Sequence, residues 1–327
     1  MDFLDNLFGL AQQWVFQTLL QPLMFHVGLG DILEDGYAAA GWLLVGLVQV
    51  LVLVAVIGPL QRWRPVEDLR DRRAVRTDVF YTLIHRLGLV RVALFFSVQP
   101  LFDAFFGWVH LQGVGPAQLD TLVPWLGQHA LALFCVYLVI FDFADYWIHR
   151  AQHSVEWWWQ LHSLHHSQRQ MTMWSDNRNH LLDDLLHDSL FVILAQLIGV
   201  APGQFVALVA VTQLSQSFQH ANLRVWFGRI GERLWVSPRF HRLHHAIGLG
   251  HERAAGVQPL VRGRSPALGG HNFGVLLPWW DMLFRTANFE LRWDATGIRD
   301  QVEKGRNYGS GFWSQQWLGL KRLAGRA

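Results

Sequence analysis

Charge is scarce in this chain of 327 residues: only 16% are Asp, Glu, Lys or Arg, against about 25% in an ordinary soluble domain. Hydrophobic residues make up 51%. Cysteine is almost missing. The single residue, Cys135, lies inside an apolar stretch, so an internal disulfide is excluded, and so is a cysteine-ligated iron–sulfur cluster. No Gly-x-Gly-x-x-Gly fingerprint occurs, which leaves no flavin or nicotinamide motif of that kind. Lys and Arg are absent from residues 1–61 and again from 108–126. Without a basic leading region, the first residues do not read as a cleavable signal peptide. No low-complexity tract is found.

What the chain has instead is long apolar runs. Ala38 to Gly58 carries no charge and has the length, about twenty residues, that a helix needs to cross a bilayer core. A second span is expected within Ile84 to Phe106, interrupted by Arg91 and Asp103, and a third from Gly127 to Trp147. Leu185 to Val200 and Gln204 to Phe218, joined by Ala201-Pro202-Gly203, read as a hairpin of two short segments. Phe3 to Leu29 reads as an interfacial helix. Tryptophan, at 17 residues, is a residue that gathers at membrane interfaces. The expected fold is all-α: an integral membrane bundle of about four or five apolar spans or half-spans. Its parts are a membrane region over 1–125, a central region over 126–290 and a basic tail over 291–327.

Basic residues set the orientation. They collect after the first span, at Arg62, Arg64, Arg70, Arg72, Arg73 and Arg76, and in the tail from Arg285 to Arg326. That loop is expected in the cytoplasm. Counting spans from it puts residues 149–166 and 220–245 on the same face. The net charge of only +2 hides this asymmetry, which suits topology and lipid headgroups rather than nucleic acid.

Seventeen histidines occur, and eight fall into three short clusters. His149 and His153 form H-x3-H; His162, His165 and His166 form H-x2-H-H; His241, His244 and His245 repeat H-x2-H-H. Helical residues three and four apart share a face, so each cluster can aim its imidazoles at one spot. Imidazole is the commonest metal ligand. Eight ligands overfill one tetrahedral site and suit two ions side by side. No Glu-x-x-His occurs, which excludes the carboxylate-bridged bundles built on that element. Two other readings remain open at this point. A histidine-rich metal binder or transporter would place ionisable groups near the bilayer midplane, whereas these clusters sit at span ends. A zinc-dependent lipid hydrolase needs three protein ligands and an open position, fewer than are present.

The residues Asp142-Phe143, Tyr146-Trp147, His149-Arg150, His153, Trp159, His162 and His165-His166-Ser167 resemble the fatty acid hydroxylase/sterol desaturase superfamily. So do His220-Ala221-Asn222, Pro238 and His241-Arg242-Leu243-His244-His245, followed by Asn272-Phe273-Gly274, Trp280-Asp281, Phe284 and Thr286. The resemblance covers roughly Leu133 to Asn288. It implies a membrane di-iron enzyme that uses O2 to hydroxylate or desaturate a membrane lipid (a sterol, a fatty acyl chain or a related lipid) through hydrogen abstraction from a C–H bond. The implied cofactor is two iron ions, held by His149, His153, His162, His165, His166, His220, His241, His244 and His245. No catalytic residue is implied beyond these ligands.

Asp142, Asp145, His180, Asn222 and His271 are expected around the ligands, orienting imidazoles or a bound water. An external electron donor, a ferredoxin, cytochrome or reductase, is expected because the chain has no redox cofactor motif of its own. The expected location is a bacterial inner membrane with the site facing the cytoplasm. Two features depart from the family pattern: a glycine-rich segment over 246–270, and Phe284-Arg285-Thr286, where the family usually has Gly in the middle.

Overall fold

The structure, a computed structural model, describes residues 2–247 and 270–326. The glycine-rich segment lies almost wholly outside the described residues. Every regular element described is helical, with one isolated bridge between Ala246 and Thr296.

The N-terminal helix α1, Asp2–Val15, runs through a wider π-helical turn, Phe16–Leu20, into Gln21–His26 and packs beside α2, Leu33–Val52. With its continuation, α2 belongs to a continuous stretch, Gly30–Trp63, long and apolar enough to cross a membrane. Small residues on α2 let its neighbours come close. At Gly46, a side-chain carbon would sit 1.7 Å from the backbone oxygen of Arg86, so only glycine fits there.

Helix α3, Arg72–Arg86, starts on Asp71, whose carboxylate caps the amides of Arg73 and Ala74. The span expected over Ile84 to Phe106 is broken. Gly88, at φ 82°, ends α3, and α4, Leu89–Ser97, leaves at 52°. A further helix, α5, Gln99–Leu111, follows. The break leaves Arg86 buried at the end of α3, where it meets Asp176, Ser217, Gln49 and the Gln213 carbonyl.

Helix α6, Ala130–Ser154, is the second continuous span. Val155 alone, extended, separates it from α7, Glu156–His166. Helix α8, Leu181–Ile198, begins at His180, whose ring nitrogen accepts from the Leu182 amide, and ends at left-handed Gly199. Pro202 opens α9, Pro202–His220. Both pack against α6 through Tyr137, Phe141, Phe191 and Leu208.

The number of spans is lower than expected. By length and composition two helices qualify, or three if α3 and α4 form one bent span. Helices α8 and α9 exist where the hairpin was expected, but Asp183, Asp184 and Asp188 put three charges on the first half of α8. Those three aspartates line a cavity, while Leu182, Leu190 and Leu197 are exposed along the same helix.

The arginine-rich loop touches the histidine-bearing half directly. The Asn222 side chain accepts from the amides of Val66 and Glu67, the Arg224 amide donates to the Arg64 carbonyl, and Arg242 pairs with Glu67 at 2.9 Å.

Candidate metal centre

Four segments converge. Helix α6 supplies His149 and His153 from its last turns, and α7 supplies His162, His165 and His166. His220 ends α9. A seven-residue helix α10, Pro238–His244, carries His241 and His244, with His245 just beyond. The one-residue corner at Val155 folds α7 back on α6, which turns two sequence clusters into one face. Ser237 caps α10 through the Phe240 amide, and Glu232 holds both Ser237 and Arg239.

All nine imidazoles meet. His149, His153, His162 and His166 form one group, and His165, His220, His241 and His245 a second. His166, His244 and His245 form a third between them. In each group the ring nitrogens lie within 4.8 Å of one another. All nine residues are buried.

Ring nitrogens on the far side fix the tautomers. His149 Nδ1 donates to the Phe273 carbonyl at 2.9 Å, His244 Nδ1 to the His271 carbonyl at 2.8 Å, and His220 Nδ1 to the Gln216 carbonyl at 2.9 Å. His162 Nδ1 donates to Asp183 at 2.9 Å. A carbonyl or carboxylate oxygen only accepts, so each of these rings keeps a bare Nε2. The Nε2 atoms of His162, His166 and His244 are buried and meet no hydrogen-bond partner among the described residues.

In the second group, His220 Nε2 is 3.1 Å from His165 Nε2 and 3.1 Å from His241 Nε2, which is 3.1 Å from His245 Nε2. Reading these as hydrogen bonds would ask the single Nε2–H of His241 to serve two acceptors. Convergence on one cation needs no such proton. Two nitrogens about 2.0–2.1 Å from a shared ion lie about 2.9–3.4 Å apart at right to tetrahedral angles, and the observed separations fall in that range. Burial, reinforced by neighbouring imidazoles, holds His166, His241, His244 and His245 well below the usual imidazole pKa. They stay neutral at pH 7, as ligands must. The donor set fits two metal ions.

Of the residues expected around the ligands, His271 touches a cluster imidazole, and the other four make their polar contacts elsewhere. Asp142 accepts from the amides of Leu276 and Leu277 and from Trp280, tying α6 to the closing segment. Asp145 pairs with His187 at 2.8 Å. His180 donates to the Gln316 carbonyl and caps α8, and Asn222 holds the arginine loop. His271 reaches a cluster member through its backbone oxygen, and its ring contacts Asn288. The carboxylate that does touch a cluster imidazole is Asp183, which also accepts from Gln152 and Trp158, each at 2.7 Å. Sequence reasoning passed over it. Its only signal is an Asp-Asp pair in the first turn of α8. Trp159 packs on His153 and His166, whereas Trp157 is exposed.

The closing segment is a strap. Asn272, at φ 59°, bonds the Phe240 and Asn288 carbonyls, and Asp281 accepts from Phe273, Gly274 and Thr286. This rigidity presents the carbonyls of His271 and Phe273 to His244 and His149. Arg285 sits at φ 61°, which explains why glycine suits this position. The left-handed region costs a side-chain residue about 1–2 kcal/mol, offset by about 0.4–1 kcal/mol of extra unfolded-state freedom in glycine. Arg285→Gly is expected to stabilise the fold by up to about 1 kcal/mol, read as a higher melting temperature in detergent.

Beside the imidazoles lies a cavity of about 170 Å³ between α8 and α9. Five cluster histidines line it, and Asp145, Asp184 and Asp188 also face it.

Known proteins resemble this chain. The family model described as fatty acid hydroxylase matches residues 134–286, a stretch holding all nine imidazoles. Ornithine lipid hydroxylase OlsE of Rhizobium tropici is 28% identical over 263 residues, 79% of this chain and 72% of that protein. Alkylglycerol monooxygenase of Caenorhabditis elegans is 26% identical over 161 residues, 48% of this chain but only 27% of that protein. No solved structure matches significantly.

Proposed function

We propose, for a chain whose residues 134–286 belong to the fatty acid hydroxylase family, that it is a membrane di-iron oxidoreductase that hydroxylates a lipid. One observation carries this reading: nine buried imidazoles grouped around two adjacent points, four of them with Nε2 laid bare by an oxygen partner on Nδ1. An all-nitrogen set suits iron as well as zinc or copper. The family and the oxygenase names of the relatives weigh toward iron.

When bound, a pair of irons supplies the one-electron chemistry that O2 needs to attack an unactivated C–H bond. The balance is one C–H, one O2, two electrons and two protons giving an alcohol and water. The electrons come from an external donor. The chain's own residues keep the ligands neutral, fix their tautomers and exclude bulk water. His149, His153, His162 and His166 hold one ion, His165, His220, His241 and His245 the other, and His244 completes the set. Residues 1–125 anchor the protein, 126–290 carry the site and 291–327 form the basic tail. Contact between the arginine loop and the histidine half supports a site on the basic face, cytoplasmic by the positive-inside rule. A bacterial inner membrane is the location that fits.

A lipid whose headgroup bears an amine is favoured by the name of the Rhizobium relative, an ornithine lipid hydroxylase; the cavity is lined by Asp145, Asp184 and Asp188, interleaved with His85, Arg86 and His187. The test uses purified, iron-loaded protein with O2 and a reductant, supplied with lipids of cationic, zwitterionic or anionic headgroup. Turnover of the cationic lipid with formation of its alcohol is expected. Turnover that ignores the headgroup would refute the substrate reading alone. No oxygen-dependent product from any lipid, with zinc as the native metal, would refute the oxygenase itself.

A further inference from the structure

The C-terminal helix α11, Phe312–Leu323, is built inside out. Its buried face is polar: Gln315, Gln316, Gly319 and Arg322. Its outward face is apolar, with Trp313 79% exposed, Trp317 59% and Leu320 39%. These three recur at i, i+4 and i+7, a single stripe along the helix.

The polar face is tied to the rest of the fold mainly through Gln316 and Arg322, although Gln315 Oε1 and the two terminal nitrogens of Arg322 meet no hydrogen-bond partner among the described residues. The Gln316 side chain donates to the Tyr81 hydroxyl and the Asn179 carbonyl, both at 2.9 Å, and accepts from the Leu181 amide at 2.9 Å. The Gln316 carbonyl accepts from His180. A side-chain carbon at Gly319 would meet the His180 ring at 2.2 Å. Arg322 donates to the Gln160 carbonyl on α7 and stacks over Tyr308. Through these bonds α11 grips the start of α8, where Asp183 supports His162.

Nothing in the described chain covers the apolar face. A twelve-residue helix is about 18 Å long, too short to cross a bilayer core of about 30 Å. Three features identify what covers it. The apolar surface is continuous with α3, because Phe312 packs edge-on against the exposed Phe80 at 5.2 Å, and α3 is the first half of the bent candidate span. Tryptophan is the residue of the membrane–water boundary. Cations flank the stripe: Lys321, which lies over Trp317 at 5.7 Å, and Arg326. Basic groups beside an interfacial helix complement anionic headgroups.

We propose that α11 lies in the plane of the membrane surface, its Trp313–Trp317–Leu320 stripe in the lipid boundary and its polar face locked to α7 and α8. The inference stands apart from the identity of the metal and of the substrate.

Nitroxide scanning of the full chain in nanodiscs of mixed anionic and zwitterionic lipid tests it. In a Cys135→Ser background, spin labels are placed by Trp317→Cys, Leu320→Cys and, as a flank control, Ser314→Cys. All three positions are exposed or partly so, and each variant is taken forward only with wild-type metal content. Labels at 317 and 320 are expected to relax several-fold more with O2, which concentrates in lipid, than with a water-soluble nickel chelate, and the label at 314 the reverse. Chelate-dominated relaxation at 317 and 320 would overturn the proposal and leave this face as a surface for a soluble partner.

Discussion

His165→Ala is expected to empty one metal position and abolish turnover. Its Nε2 lies 3.1 Å from that of His220 in the group His165, His220, His241 and His245, all buried. Removing it leaves three imidazoles and a hole where a donor atom stood. Bound metal should fall from about two ions per chain toward one or fewer. Activity should drop by roughly a hundredfold or more, at or beyond the upper end of what loss of an outer-shell partner costs. The comparison is elemental analysis of wild type and variant purified together, with helical content and melting temperature as controls for folding. The fold should survive, because the substitution removes a polar ring from a polar cluster and leaves the packing of α6, α8 and α9 untouched. Unchanged metal content in a folded variant would show that this group is not a metal site.

Asp183→Asn should weaken metal binding about ten- to a hundredfold while leaving all nine imidazoles in place. Asp183 is buried and accepts three hydrogen bonds, from His162, Gln152 and Trp158. Its negative charge keeps the proton of His162 on Nδ1 and the lone pair on Nε2, facing the cluster. An asparagine can turn its amide toward the ring. His162 Nδ1 then accepts, the proton moves to Nε2, and the ligand atom is blocked. The readout is metal affinity in competition with a chelator, which a merely structural role would not move selectively. Asp184→Asn, one residue on, is the control. Asp184 meets His85 at 3.4 Å and bonds Asn179, and no cluster imidazole bonds to it, so metal affinity should change little. Equal losses in the two variants would mean that charge on α8, rather than the bond to His162, is what matters.

Much of the site could be read from spacing alone, for a clear reason. Histidines three and four apart on a helix share a face whatever the rest of the fold does, so clusters at 149–153, 162–166 and 241–245 had to present grouped imidazoles. His220 was legible from its place at the end of an apolar segment. Asp183 was not. It meets His162 across 21 positions, and an acidic residue in a first helical turn has an ordinary explanation in the helix dipole. The carbonyls of His271 and Phe273 were equally hidden, because a backbone oxygen leaves no mark in residue identity. Asp142 and Asp145 look, by spacing, as suited to orienting imidazoles as Asp183. The turn of α6 sends them instead to the closing strap and to His187.

The sequence by itself determined a helical, lipid-embedded chain, the grouping of its histidines and the asymmetry of its arginines. These follow from local periodicity, length and composition. Tertiary structure alone decided the rest. The left-handed turn at Gly88 split an apolar run into two helices. Asp183, Asp184 and Asp188 of α8 came to line a cavity. The one-residue corner at Val155 brought α6 and α7 face to face. The polar side of α11 turned inward and left its tryptophans outside. Each of these depends on which surface a helix presents to distant segments, and that is set by packing across the fold rather than by neighbours in the chain.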